Sequence, residues 1–188
     1  MSRKHRVWFP GAMYHITARG NRRTALFERE LDYQTYVMIL EDVRKQYPFE
    51  LHSYCLMTNH IHLLLETTNV HISDIMKAFH SRYAIWFNKE YDYIGHLFQG
   101  RYGAKLITDA PYFLEVSRYI HLNPLDANMV DRPEQYRWSS YRTYLSHHHD
   151  QHHQPIYPHV TTSKILSFFP EPKDVTYKKY VEDRIERS

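Results

Sequence analysis

Residues 49–67 read FELHSYCLMTNHIHLLLET. Phe49 to Met57 is rich in aromatic and apolar residues and predicts a strand. Thr58-Asn59 is a short turn. His60 to Thr67 predicts the next strand, apolar enough to be central in its sheet. Alternate side chains of a strand share a face. His60 and His62 therefore point the same way, with Cα atoms roughly 6.5–7 Å apart. Ile61, Leu63 and Leu65 point the other way, toward packing helices. Two imidazoles so placed can ligate one divalent ion, although two ordinary strand histidines have the same spacing.

The rest of the pattern builds outward from this hairpin. Ala12 to Arg19 predicts a strand that Gly20-Asn21 ends. Glu30 to Tyr47 predicts a helix with Leu31, Tyr36, Ile39, Leu40 and Val43 mostly on one side, stopped by Pro48. Ile72 to Glu90 predicts a second helix, with Ile75, Met76, Phe79, Tyr83 and Phe87 on its apolar face and Ser73 or Asn69 as cap. His96 to Ile107 predicts a fourth strand region. Ala110 to Leu122 predicts a third helix, with Pro111 in its first turn and Pro124 just past its end. The order β-α-β-β-α-β-α is that of an α+β fold, a ferredoxin-like split βαβ sheet, with one further helix that could pack near the open sheet face. Thr162 to Phe169 and Val175 to Arg187 predict two short C-terminal helices. Before them, His147 to His153 (HHHDQHH) is a low-complexity tract, read as a polar linker, with adventitious metal binding as the alternative.

The chain has 188 residues, 43% of them hydrophobic, enough for one domain with a real core. Net charge is only +3. The basic residues are unevenly spread, however: Arg3, Lys4, Arg6, Arg19, Arg22 and Arg23 precede the first acidic residue. Such a local surface attracts phosphate. Arg19, Arg22, Arg23, Arg101 and Lys105 are candidate phosphate contacts, against the plainer reading of a solvated surface. The 17 tyrosines are mostly packing residues, with base stacking and one nucleophile as functional uses. The single cysteine, Cys55, excludes an intramolecular disulfide and predicts a buried inert thiol. No apolar run approaches a membrane span and no signal-peptide core is visible, so a soluble, cytoplasmic protein with no membrane partner is expected.

A metal held by His60 and His62 needs further donors. Residues 118–124, Arg-Tyr-Ile-His-Leu-Asn-Pro, offer them. Tyr119 and Asn123 are four residues apart and share a helical face if the helix continues that far. Asn123 can supply a carbonyl oxygen and Tyr119 a phenolic one. The plainer readings are a core aromatic and a helix-end residue before proline. Tyr112 and Glu115 lie on much the same face. Spacing leaves either tyrosine open as nucleophile and Glu115 open as ligand or base.

Four stretches, taken in order, resemble the REP-associated tyrosine transposases, relatives of the small single-tyrosine HUH transposases. They are residues 14–23 (YHITARGNRR), 57–65 (MTNHIHLLL), 99–102 (QGRY) and 118–124 (RYIHLNP), and residues 138–141 (WSSY) fit as well. The resemblance implies the HUH motif on a central strand, His60 and His62 as metal ligands, Tyr119 as nucleophile and Asn123 as the polar ligand one turn later. It divides the chain into a transposase/nuclease domain at 1–145, a His-rich linker at 146–160 and a helical extension at 161–188. Asp126 and the histidine tract depart from the expected pattern, and neither touches the catalytic set.

The implied reaction is metal-dependent cleavage and rejoining of single-stranded DNA through a 5′-phosphotyrosine. The implied partner is single-stranded DNA with a hairpin, and monomer and homodimer both remain open. Two imidazoles and an amide oxygen suit Mg²⁺ or Mn²⁺ in open octahedral coordination, bound for Lewis-acid work on a phosphate. A free phenol has a pKa of about 10, so the nucleophile needs activation. Three rivals share some of these features: a non-catalytic DNA-binding module of the same fold, an HUH replication initiator or relaxase, and a histidine-rich metal-storage protein.

Overall fold

A computed structural model describes residues 7–145 and 158–183. The histidine tract His147–His153 and the basic residues Arg3, Lys4 and Arg6 lie outside the described residues. Strands β1 (Met13–Arg19), β2 (Phe49–Met57), β3 (His60–Thr67) and β4 (Gly103–Leu106) form one sheet in the order β2-β3-β1-β4. Every pairing is antiparallel. Helices α1 (Glu30–Gln46) and α2 (Ile72–Glu90) connect β1 to β2 and β3 to β4. This is the ferredoxin-like arrangement, with β3 in the interior. Ile61, Leu63 and Leu65 are all fully buried.

The remaining differences from the sequence reading have local causes. The fourth strand is confined to Gly103–Leu106. Gly95 and Gly100 take positive φ values of 114° and 69°, which break any longer strand, and only an isolated bridge from Phe98 to Gly20 remains upstream. In α1, Leu31 is exposed, while Asp32 is buried and receives the backbone N–H groups of Glu28 and Arg29 at 2.6 and 2.9 Å. That carboxylate closes the helix start, and α1 buries Tyr36, Val37, Leu40 and Val43. His71, rather than Ser73 or Asn69, caps α2, its Nδ1 accepting the Ser73 N–H at 3.0 Å.

Helix α3 runs Ala110–Asp126, four residues past the expected end, with Pro124 inside its last turn. A proline there removes only the bond to the carbonyl four residues back, and the Ala127 N–H still reaches the Asn123 carbonyl at 3.0 Å. Asn123 is therefore helical. At the C-terminal end, α4 covers only Ser163–Leu166 and α5 covers Lys173–Glu182. The segment ahead of them is tied to β2, where the Thr161 N–H donates to the Leu51 carbonyl at 2.8 Å.

A buried polar chain fixes α3. Ser53 of β2 meets Ser117 of α3 at 2.9 Å, and Ser117 meets the Tyr177 hydroxyl of α5 at 2.6 Å. Tyr177 contacts His121 Nδ1 at 2.7 Å, and His121 Nε2 contacts Ser140 Oγ at 2.7 Å. Ser140 Oγ in turn accepts the Tyr54 N–H at 2.9 Å. Buried hydroxyls lose far more by being stranded than they gain by being paired. Tyr177→Phe leaves His121 Nδ1 without a partner and Ser117 with Ser53 alone. It is expected to lower unfolding free energy by about 1–3 kcal/mol in urea denaturation; an unchanged midpoint would show that α5 does not hold α3.

Candidate metal and nucleic-acid site

The antiparallel register places Arg19 opposite His60 and Thr17 opposite His62. Cross-strand partners share a face, so His15, Thr17, Arg19, His60 and His62 occupy the same side of the sheet. β4 adds Gly103 opposite Thr17 and Lys105 opposite His15. Gly103 must be small: a Cβ there would lie 2.6 Å from Thr17 Oγ1. Helix α3 crosses this face, and Tyr119 and Asn123 complete the wall. The result is a cavity of about 430 Å³ lined by His60, His62, Tyr119, Asn123, Arg19, Arg101 and Gln99, among others.

His60 Nε2 lies 3.3 Å from Asn123 Oδ1. Its other nitrogen, Nδ1, lies 2.8 Å from Asn59 Oδ1; both oxygens are acceptors, so a neutral ring donates to only one of them. His62 Nδ1 lies 3.0 Å from His15 Nε2, while His62 Nε2 is buried with no hydrogen-bond partner. The Tyr119 ring stands edge-on to His62, centroids 5.3 Å apart, and to His15 at 5.7 Å. Tyr119 is 37% exposed, against 5% for His62. The phenol thus sits toward solvent above a desolvated imidazole pair.

Burial lowers the His62 pKa to about 3, with neighbouring His15, His60 and Arg19 adding to the effect. Burial likewise lowers His15 to about 4, with help from Lys105. His60 is shifted down too, chiefly by desolvation, against the opposing hydrogen bond to Asn123. All three rings are neutral near pH 7 and offer lone pairs rather than positive charge. An orphaned imidazole nitrogen, a second imidazole and an amide oxygen fit a divalent cation that keeps open positions. His60, His62 and Asn123 would hold it. Among the described residues no group of three His, Cys, Asp or Glu side chains could hold a metal ion, and a third donor beside His60 and His62 would be the neutral amide.

The other sequence candidates are distributed differently. Arg19 and Arg101 line the cavity. Arg22 and Arg23 sit beside the end of β1 in an exposed turn at Asn21–Arg23, with φ of 50° and 63°. Lys105 places Nζ 4.4 Å from the centre of the Tyr112 ring. Tyr112 does not line the cavity, and Glu115 is exposed and paired with Arg118. His15, Thr17, Asn59 and Gln99 lie within the quoted stretches, but the sequence gives none of them a role of its own. The alternation through residues 15, 17 and 19 would have flagged His15 once the pairing of β1 with β3 was known.

The chain matches the family of IS200-like transposases over residues 9–123 and belongs to it. The structure of a REP-associated tyrosine transposase bound to a REP hairpin is similar in fold, with a TM-score of 0.68 and 18% identity, covering 86% of this chain and 93% of that one. A crystal structure of a putative transposase from Deinococcus radiodurans aligns at 22% identity and a TM-score of 0.42, covering 69% of this chain and 96% of that one. No protein of curated function matches. Among the described residues no helix is long and apolar enough to cross a membrane.

The neutral histidines couple stability to pH. His80 and His121 are also lowered to about 3 by burial. In the unfolded chain these rings and those of His15 and His62 titrate near 6.5. Below that pH the unfolded chain takes up protons that the folded chain refuses. Stability is thus complete above about pH 6.5 and falls progressively as pH drops toward the folded values. The urea midpoint is expected to be level from pH 8 to 7 and clearly lower at pH 5. A midpoint unchanged at pH 5 contradicts this coupling.

Proposed function

We propose that this chain is a metal-dependent single-strand DNA endonuclease and transposase that cleaves and rejoins DNA through a 5′-phosphotyrosine on Tyr119, at hairpin-bearing repeats. The observation that carries the reading is the convergence of His60, His62, Asn123 and Tyr119, from two distant segments, on one cavity that also holds Arg19 and Arg101. Membership of the IS200-like transposases supports it. The fold shared with a REP-associated transposase bound to a REP hairpin supports the hairpin substrate.

The Tyr119 oxygen attacks a phosphorus in line with the departing 3′ oxygen. The new bond is phosphotyrosyl, the phosphorus–O3′ bond breaks, and the phenolic proton is replaced by one on the freed 3′-OH. One phosphodiester is exchanged for another, so a 3′-OH can reverse the step without an external energy source. His60, His62 and Asn123 would hold a Mg²⁺ or Mn²⁺, which would supply Lewis-acid stabilisation of the charge that develops on the phosphate. Arg19 and Arg101 hold the phosphate, and Arg22, Arg23 and Lys105 contact the strand beyond it. Tyr119 is carried by α3 yet 37% exposed to solvent, which admits a polymer.

A labelled single-stranded oligonucleotide carrying a hairpin, incubated with Mn²⁺, is expected to yield a covalent protein–DNA adduct on a denaturing gel. Tyr119→Phe is expected to lose it by on the order of 10³-fold or more, while Tyr112→Phe retains it. Adduct formation by Tyr119→Phe removes that residue as nucleophile. DNA binding by the wild type with no adduct in either metal makes the chain a binding module instead.

The phosphate contacts have a separate readout. Arg19→Ala and Arg101→Ala are each expected to reduce the slope of log binding constant against log salt by about 0.7 for a single strand. Unchanged slopes would place the strand elsewhere on the surface.

A further inference from the structure

His15 lies on β1, two residues before Thr17, the residue opposite His62. It reaches diagonally across the pair, bringing its Nε2 to 3.0 Å from His62 Nδ1. The two rings are nearly parallel, 28° apart, with centroids separated by 5.3 Å. A contact of that length between two neutral imidazole nitrogens holds one proton. It belongs either to His62, leaving His62 Nε2 with a free lone pair, or to His15, forcing an N–H onto His62 Nε2.

The second arrangement would bury an N–H at His62 Nε2, where no acceptor lies within reach. The first leaves a lone pair there, available to a cation.

We infer that His15 is a positioning residue: its Nε2 accepts the His62 Nδ1–H and locks His62 in the tautomer whose Nε2 lone pair faces the cavity. His15 then carries its own proton on Nδ1 and is not itself a ligand, because its Nε2 is committed. Metal-binding histidines depend on such outer partners for tautomer and ring orientation. The role in ion binding rests on the metal site proposed above, whereas the tautomer itself does not.

The test uses the full chain, free of metal, at neutral pH. Long-range ¹H–¹⁵N correlation reads which nitrogen of His62 is protonated. The wild type is expected to show Nδ1–H. His15→Ala is expected to move the proton to Nε2 and to weaken Mn²⁺ binding, measured by calorimetry, about 10–100-fold. His15→Gln, whose side-chain oxygen takes roughly the place of the imidazole Nε2 and accepts the same proton, is expected to restore both the tautomer and most of the affinity. A wild-type His62 protonated at Nε2 overturns the inference. So does a His15→Ala protein that keeps the Nδ1–H form, or a folded His15→Gln protein no better than His15→Ala. If the wild type binds no Mn²⁺, the metal-site reading fails while the tautomer measurements still decide the role of His15.

Discussion

The site depends on how α3 is held against the sheet. A helix turns 100° per residue, so a rotation of one residue would carry Tyr119 and Asn123 away from His60 and His62 altogether. Apolar packing alone tolerates such slippage, because one greasy contact resembles another. The Ser53–Ser117–Tyr177–His121–Ser140 chain does not, since each member has a partner at a defined atom and each would be stranded by rotation. Residues 117 and 121 of α3 are spent on this anchorage. Residues 119 and 123, at the same i,i+4 spacing but displaced about 200° around the axis, are left for the cavity.

The second constraint is the cost of burying imidazoles. His62 is almost fully desolvated beside two other histidines and an arginine, and it stays neutral because a charge there would have no counterion. The environment that excludes the proton also leaves a nitrogen lone pair without a protein partner. An unpartnered imidazole nitrogen and a low histidine pKa are therefore two consequences of one burial. Beside the pair, the Thr17 side chain fills the space over Gly103, where a Cβ would come within 2.6 Å of Thr17 Oγ1.

How much of this was legible follows the range of the forces involved. The alternation in β3, the α1 and α2 periods and the β-α-β-β-α-β order are local, and they led to the ferredoxin-like sheet. Pro124 misplaced the end of α3 because the rule against proline inside helices weakens in a last turn, where few bonds remain to be lost. The helical period places Leu31 in the α1 core because a period cannot see that Asp32 caps the helix start. The His15–His62 contact was hidden because it depends on the register of β1 against β3, which is set by pairing rather than by either strand alone.

The ambiguity between Tyr112 and Tyr119 shows the limit in its plainest form. Seven residues rotate a helix by about 700°, within about 20° of two full turns, so angular spacing cannot separate them. They differ along the axis, by about 10 Å at 1.5 Å per residue. That distance decides their surroundings: Tyr112 lies at the β4 edge under Lys105, and Tyr119 stands over the histidine pair. Where α3 sits along its axis is settled by the contact of Ser117 with β2 and by α5, elements 60 or more residues away in the chain. The same buried hydroxyls that hold the helix thus select which of its tyrosines stands over the histidine pair, and a change in that distant anchorage alters the site without touching any residue that lines it.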